Sequence, residues 1–149
     1  MALREQDRES VREHLATGLV DDVSLTLYTQ PDFGLYVPGR ECPTCRPTRL
    51  LVQEVVELSP KLHLEIVNFY QEPERSRADG IDKIPAIVIR SDGGANAKYF
   101  GLPSAREFDV FLETLSMSSS PDSSLTLETR THLDTLDLDV HIQVLVTPN

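Results

Sequence analysis

Along residues 23–28, Val23, Leu25 and Leu27 alternate with Ser24, Thr26 and Tyr28, which predicts a strand with one buried face. Before it, Val11 and Leu15 stand four apart, with Leu3 and Leu19 a turn or two away. That thin apolar stripe predicts a solvated helix over 3–17, with Gly18 as its stop. Gln30 to Glu41 holds Pro31, Gly34, Pro38 and Gly39 and reads as a loop. Its apolar members Phe33, Leu35, Tyr36 and Val37 are unusual for a solvated loop; they are expected to pack down locally or, on a sharper reading, to form a surface that greets an apolar substrate segment beside Cys42.

A second helical pattern, Leu51, Val52, Val55, Val56 and Leu58, runs to about Leu58, where Ser59-Pro60 ends it. Pro47 falls inside its second turn and predicts a kink. Leu62, Leu64 and Ile66 then alternate with His63 and Glu65, a second strand on which His63 is a surface residue. Residues 71–84 are charged and read as irregular. Ile84-Pro85-Ala86-Ile87-Val88-Ile89 suits a central strand, Asp92-Gly93-Gly94 a turn, and 97–100 the return strand of a hairpin. Gly101-Leu102-Pro103-Ser104 opens a helix with the apolar face Ala105, Phe108, Phe111, Leu112 and Leu115. Met117 to Ser124 is a linker by composition. Beyond it lie a short helix with Leu125, Leu133 and Leu136, and a strand in which Val140, Ile142, Val144 and Val146 alternate with His141, Gln143 and Leu145. The helix–strand layout of residues 3–28 thus recurs at 124–146.

Composition narrows the function classes. The chain has 149 residues, enough for one domain and a little more, and at 40% hydrophobic it can build a core. A net charge of −10 without a basic stripe counts against nucleic acid and anionic membrane as partners. No run approaches the ~18 apolar residues of a membrane helix. The first residues carry no apolar signal core, so a cytoplasmic protein is expected.

The chemistry concentrates in Cys42-Pro43-Thr44-Cys45, which holds both cysteines of the chain. Two thiols at this spacing in the first turn of a helix close into a small ring with little backbone movement. The first sulfur then lies near unpaired backbone N–H groups and the positive end of the helix dipole, which favour the reactive thiolate. Pro43 is expected at the first helical position, where its missing N–H costs nothing. Arg40, Arg46 and Arg49 add positive charge nearby and Glu41 opposes them. Cys42 is therefore expected to titrate below the free-thiol value of about 8.5. Two other readings stay open. The pair is half of a zinc site, completed from His14, His63, His132 and His141 or across a dimer, or it is two inert buried cysteines. The proline and the following helix favour redox chemistry.

The order of strand, C-x-x-C helix, strand, irregular segment, Ile-Pro strand, hairpin strand and terminal helix resembles the thioredoxin fold over residues 20–116. The added first helix and the linker, helix and strand at the end resemble the two-unit, glutaredoxin-like protein disulfide oxidoreductases. They are also similar to the tandem-thioredoxin N-terminal domain of the flavoprotein that reduces bacterial peroxiredoxin. Asp82-Lys83-Ile84-Pro85-Ala86, Phe100-Gly101-Leu102-Pro103 and Glu107-Phe108 fit that group. The flavoprotein domain lacks C-x-x-C in its first unit, so Cys42 and Cys45 favour the oxidoreductase branch.

The resemblance implies a three-layer α/β/α unit with a mixed four- to five-stranded sheet over residues 1–116. It further implies a linker at 117–124 and, at 125–149, the first helix and strand of a second unit. Cys42 matches the attacking cysteine and Cys45 the buried resolving one. Pro85 matches a cis-proline facing the disulfide, with Ile84 offering backbone to a substrate strand and Pro43 and Thr44 beside it. The implied activity is thiol–disulfide exchange with protein substrates, with no metal or organic cofactor, and a thioredoxin-reductase-like electron donor as candidate partner. A non-catalytic docking module and an electron relay to a peroxidase system are the alternatives. Three features depart from the pattern. The Gln30–Glu41 loop is longer, no acid on the first strand corresponds to the one many thioredoxins bury beneath the cysteines, and Gly101 stands alone where glutaredoxins hold glutathione with two glycines. The 139–146 strand is expected to pair with the first unit or to swap into a homodimer, since a free apolar edge is costly.

Overall fold

The computed structural model describes residues 3–31, 38–39, 41–92, 96–121, 125–140 and 142. Its elements follow in the order α1 (Glu5–Gly18), β1 (Val23–Thr29), α2 (Cys45–Glu57), β2 (Leu62–Asn68), α3 (Pro73–Ala78), β3 (Ala86–Arg90), β4 (Ala97–Phe100), α4 (Arg106–Ser118) and α5 (Leu127–Asp134). The four strands form one mixed sheet in the order β2-β1-β3-β4. β1 runs parallel to β2 and antiparallel to β3, and β4 returns antiparallel beside β3. No described helix is long and apolar enough to cross a membrane.

The register decides which residues share a face. Leu25 lies opposite Ile89 and Leu27 opposite Ile87, and these four sit under α1, α2 and α4 in the main core. Val11 and Leu15 of α1, Val52 and Val55 of α2, and Phe111, Leu112 and Leu115 of α4 close over them. On the other face, Tyr28 lies opposite Ala86 and Thr26 opposite Val88. There Val67 and Ile81 complete a second, smaller cluster.

That second face corrects the expectation for β1. Thr26, Tyr28 and Thr29 are as buried as the leucines between them. β1 is a central strand, and a packed cluster lies on each of its faces. The cover comes from the segment expected to be irregular, which contains the two-turn helix α3 opened by Pro73. The Tyr28 hydroxyl donates to Asp79 Oδ2 at 2.5 Å, and Arg90 reaches Oδ1 of the same carboxylate at 2.7 Å. Arg75 of α3 pairs with Glu65 of β2. Burial pushes the Tyr28 phenol up, and the hydrogen bond to Asp79 adds to it, to about 12. Burial alone would raise the Asp79 carboxyl, but its bonds from Tyr28 and Arg90 together hold it below the ordinary range.

Other expectations shift locally. Gly18 is the last residue of α1, and its reason is packing: a Cβ there would stand 2.4 Å from Ser116 Oγ of α4. Ala105 does not join the apolar face of α4. It is the exposed residue before the helix, at φ 51°. The serines read as linker begin inside the fold, since α4 runs through Ser118 and Ser119 is buried. Ser119 Oγ accepts from the Val20 N–H at 3.0 Å and its carbonyl from the Asp21 N–H at 3.1 Å, tying α4 to the start of β1. α5 forms as expected, with no buried residue. The 140–146 strand, the apolar residues of the 30–41 loop and the Gly93-Gly94 turn lie almost wholly outside the described residues.

Candidate active site

Cys42 and Cys45 form a disulfide, with Cα atoms 5.4 Å apart. The two sulfurs belong to different surroundings. Cys45 opens α2 and is 2% exposed, whereas Cys42 precedes the helix and is half-buried at the surface, with Pro43 and Thr44 exposed between them. The turn is closed by the Cys45 N–H, which donates to the Cys42 carbonyl at 3.2 Å.

The helix starts later than expected. Thr44 is its N-cap and Cys45 its first residue, so Pro43 stands outside it, before the cap. Pro47 is consequently the third residue, in the first turn. The first intrahelical bond runs from the Thr48 N–H to the Thr44 carbonyl at 3.0 Å. The N–H groups before it have no acceptor within a helix, so Pro47 removes no hydrogen bond and requires no kink. The same two prolines leave fewer N–H donors near Cys42. Arg46 is exposed and Arg49 half-buried on α2, while Arg40 lies outside the described residues.

The segment facing the disulfide is the one before β3. The Ile84–Pro85 peptide bond is cis. Pro85 is buried and Ile84 half-buried, and the Ile84 carbonyl oxygen lies 3.7 Å from Cys42 Sγ. The Gly101 N–H donates to the Pro85 carbonyl at 2.9 Å, which fixes the proline segment to the end of β4. Gly101 has φ 105°, a region that favours glycine. Lys83 Nζ sits 5.3 Å from the ring centroid of the exposed Phe100. Cys42, Cys45, Pro43, Thr44, Ile84 and Pro85 are thus brought together at one end of the sheet.

The roles of two residues of this region escape the sequence reading. Gly101 was read as opening α4 and as the lone glycine of the glutathione-site comparison, not as the anchor of Pro85. Thr48 interrupts the apolar stripe of α2, one turn after Cys45, and is wholly buried. That polar interruption was its signal. Among the described residues no three of His, Cys, Asp and Glu gather as metal ligands. His63 stands on the exposed side of β2, where Nε2 lies 3.1 Å from Asp22.

No family model matches the chain, and no curated protein matches it. Solved structures do. The alkylhydroperoxide reductase component AhpF from Enterococcus faecalis is 20% identical, with a TM-score of 0.73 over 91% of this chain and 62% of that one. The N-terminal N/C domain of the same reductase gives 19% and 0.71, over 89% of this chain and 60% of that one. A protein disulfide oxidoreductase from Aeropyrum pernix gives 22% and 0.73, over 91% and 56%. The chain spans about three-fifths of the length of these structures. With a mixed four-stranded sheet, helices on both faces and a C-x-x-C pair at the head of α2, the chain has the thioredoxin fold.

Proposed function

We propose that the chain is a thiol–disulfide oxidoreductase acting on protein substrates. The observation that carries this reading is the division of one disulfide between a reachable and a buried sulfur, beside the backbone of Ile84. In the reduced protein, the Cys42 thiolate attacks one sulfur of a client disulfide. That S–S bond breaks, and its electron pair leaves on the second client sulfur, which takes a proton. A mixed disulfide now joins Cys42 to the client. Cys45 loses its proton and attacks Cys42 Sγ, the mixed disulfide breaks, and the first client sulfur departs as a thiol. The client has gained two electrons, and the protein is left with the Cys42–Cys45 disulfide. Run backwards, the same steps oxidise a client dithiol.

Ile84 supplies the docking strand in this reading. It lies just before β3, so its backbone stands past the end of the sheet ladder, next to Cys42. A client segment laid there pairs with main chain whatever its side chains are. Exposed Pro43 and Thr44 flank the same mouth. A thioredoxin-reductase-like protein, or a thiol of low potential, returns electrons to the disulfide.

The test is reduction of insulin disulfides with dithiothreitol as electron source, followed as turbidity. The reading expects acceleration by the wild-type chain and none by Cys42→Ser. Equal rates for the two would leave the fold as a docking module.

A further inference from the structure

Thr48 is wholly buried, and its Oγ1 has no hydrogen-bond partner. A threonine inside a helix normally turns its hydroxyl onto the carbonyl three or four residues earlier. Three others in this chain do so: Thr17 donates to Glu13 at 3.0 Å, Thr114 to Val110 at 2.7 Å and Thr131 to Leu127 at 2.9 Å. All three of those bonds are exposed, where water would have served as well. The one buried case, for which a partner matters most, lacks it.

Its position says which partner is missing. Residues three apart on a helix are neighbours on one face. Thr48 and Cys45 are so placed, and both belong to the buried stripe of α2 with Leu51, Val52 and Val55. No Asp or Glu lies on β1, where the buried side chains with a polar atom are Thr26, Tyr28 and Thr29. In the disulfide form Cys45 Sγ is bonded to Cys42 and carries no hydrogen. On reduction it becomes a free thiol or thiolate, able to take a hydrogen bond and, as a thiol, to give one.

We infer that the Thr48 hydroxyl is the hydrogen-bond partner of Cys45 in the reduced protein, unpaired in the oxidised state and satisfied in the reduced one. This rests on the exchange reaction proposed above and deepens it. The hydroxyl is not the base, since it surrenders no proton and takes none. It stabilises the sulfur that must become the resolving nucleophile. A bond present in only one redox state shifts the balance between the two, so Thr48 makes the disulfide easier to reduce.

The experiment is the equilibrium of the full chain with glutathione. Two glutathione thiols give two electrons and two protons, one proton to each cysteine sulfur, and leave as glutathione disulfide. Thr48→Val keeps the shape and removes the hydroxyl. It is expected to raise the equilibrium constant for the protein disulfide at least fivefold, about 20 mV toward lower potential. Thr48→Ser restores the hydroxyl and is expected to return the constant to within twofold of wild type. Thr48→Ala, which adds no bulk, gives the same direction as valine and serves if the valine variant does not fold. A shift below fivefold in the hydroxyl-free variants, or one that serine does not reverse, overturns the inference. A threonine that merely supports the fold would change both redox states equally and leave the constant in place. The readout needs no client. A chain inactive on insulin whose equilibrium still moves as described would lose the proposed function and keep this inference.

Discussion

Two helices of this chain, α4 with six apolar residues in thirteen and α5 with two in eight, meet opposite fates. In α4, Phe111, Leu112 and Leu115 are buried, although the N-cap Ala105 provides no side-chain cap. In α5 the cap is better: the Thr126 hydroxyl accepts from the Thr129 N–H at 3.2 Å. Yet Leu127 is 81% exposed, and Leu133, Leu136 and Leu138 stand in solvent as well. α4 has a sheet face to cover and α1 beside it, so packing outweighs a poor start. α5 has a sound local start and nothing described to cover. Periodicity nominates a face, and a neighbour decides whether it becomes core.

Substitutions in the two regions should therefore diverge, and the largest divergence is in activity. Cys42→Ser removes the attacking sulfur and is expected to reduce insulin turnover to the uncatalysed rate, whereas Leu127→Ser is expected to leave it within twofold. Cys45→Ser keeps the attack and loses the resolution, so mixed disulfides with client protein accumulate and show as adducts on non-reducing gels. Loss of activity in Leu127→Ser would mean that α5 takes part in the site.

In stability, Phe111→Ala is expected to cost about 3–5 kcal/mol, the range for emptying a buried aromatic position. Leu127→Ser is expected to stay within about 0.5 kcal/mol, as for exposed positions. Urea unfolding of both variants gives the comparison. A cost above ~2 kcal/mol for Leu127 would show that α5 is covered in solution.

Tyr28 sharpens the contrast from within the folded unit. Its phenol is raised in the fold to about 12, against about 10 in an unfolded chain. A group raised by folding contributes stability that is complete below the unfolded value and lost as pH rises through the folded one. Stability should therefore decline between pH 10 and 12. Tyr28→Phe is expected to cost about 1.5–3 kcal/mol at pH 7, for a bond to a charged partner, and to show a smaller alkaline decline. Some decline remains in the variant, because burial and the bond to Glu107 raise Tyr99 as well. Unfolding at pH 7, 10 and 11.5 reads both effects, and equal alkaline losses in wild type and variant would remove Tyr28 from the account.

The sequence made the α2 side of the molecule legible because its signals are local. The 3.6-residue repeat of Leu51, Val52 and Val55, the period-two runs of β1 and β2, and the Cys42–Cys45 spacing all need few neighbours to interpret. The α3 side was hidden because it is built across distance. Tyr28 looks like the wet side of an alternating strand until Asp79, fifty-one residues later, and Arg90 come together at its hydroxyl. Pro47 misled for a related reason, since its cost depends on where the helix starts, and that is fixed by the turn at Cys42 rather than by proline itself. At the site, the cysteines and Ile84-Pro85 were readable as motifs. The Gly101 anchor and the unpartnered Thr48 hydroxyl emerge only when α2, β3 and β4 are assembled.

The smallest expected effect concerns association. Leu136, Leu138, Val140 and Ile142 follow α5 closely, and each is more than half exposed. Exposed apolar side chains so close in sequence favour self-association, and a swap through residues 139–146 is one way to cover them. Light scattering on the full chain and on a chain ending at Ser120 separates the two regions directly. The full chain is expected to form dimers as concentration rises, and the shorter one to stay monomeric, because its own apolar residues are largely inside. The shorter chain should also keep its insulin-reducing rate within twofold, since Cys42, Cys45, Ile84 and Pro85 are held by α2, β3 and β4 alone. Monomers in both cases, with protected amides over 139–146 in the full chain, would instead place that segment on the first unit's own sheet and make the exposure of α5's leucines a local matter.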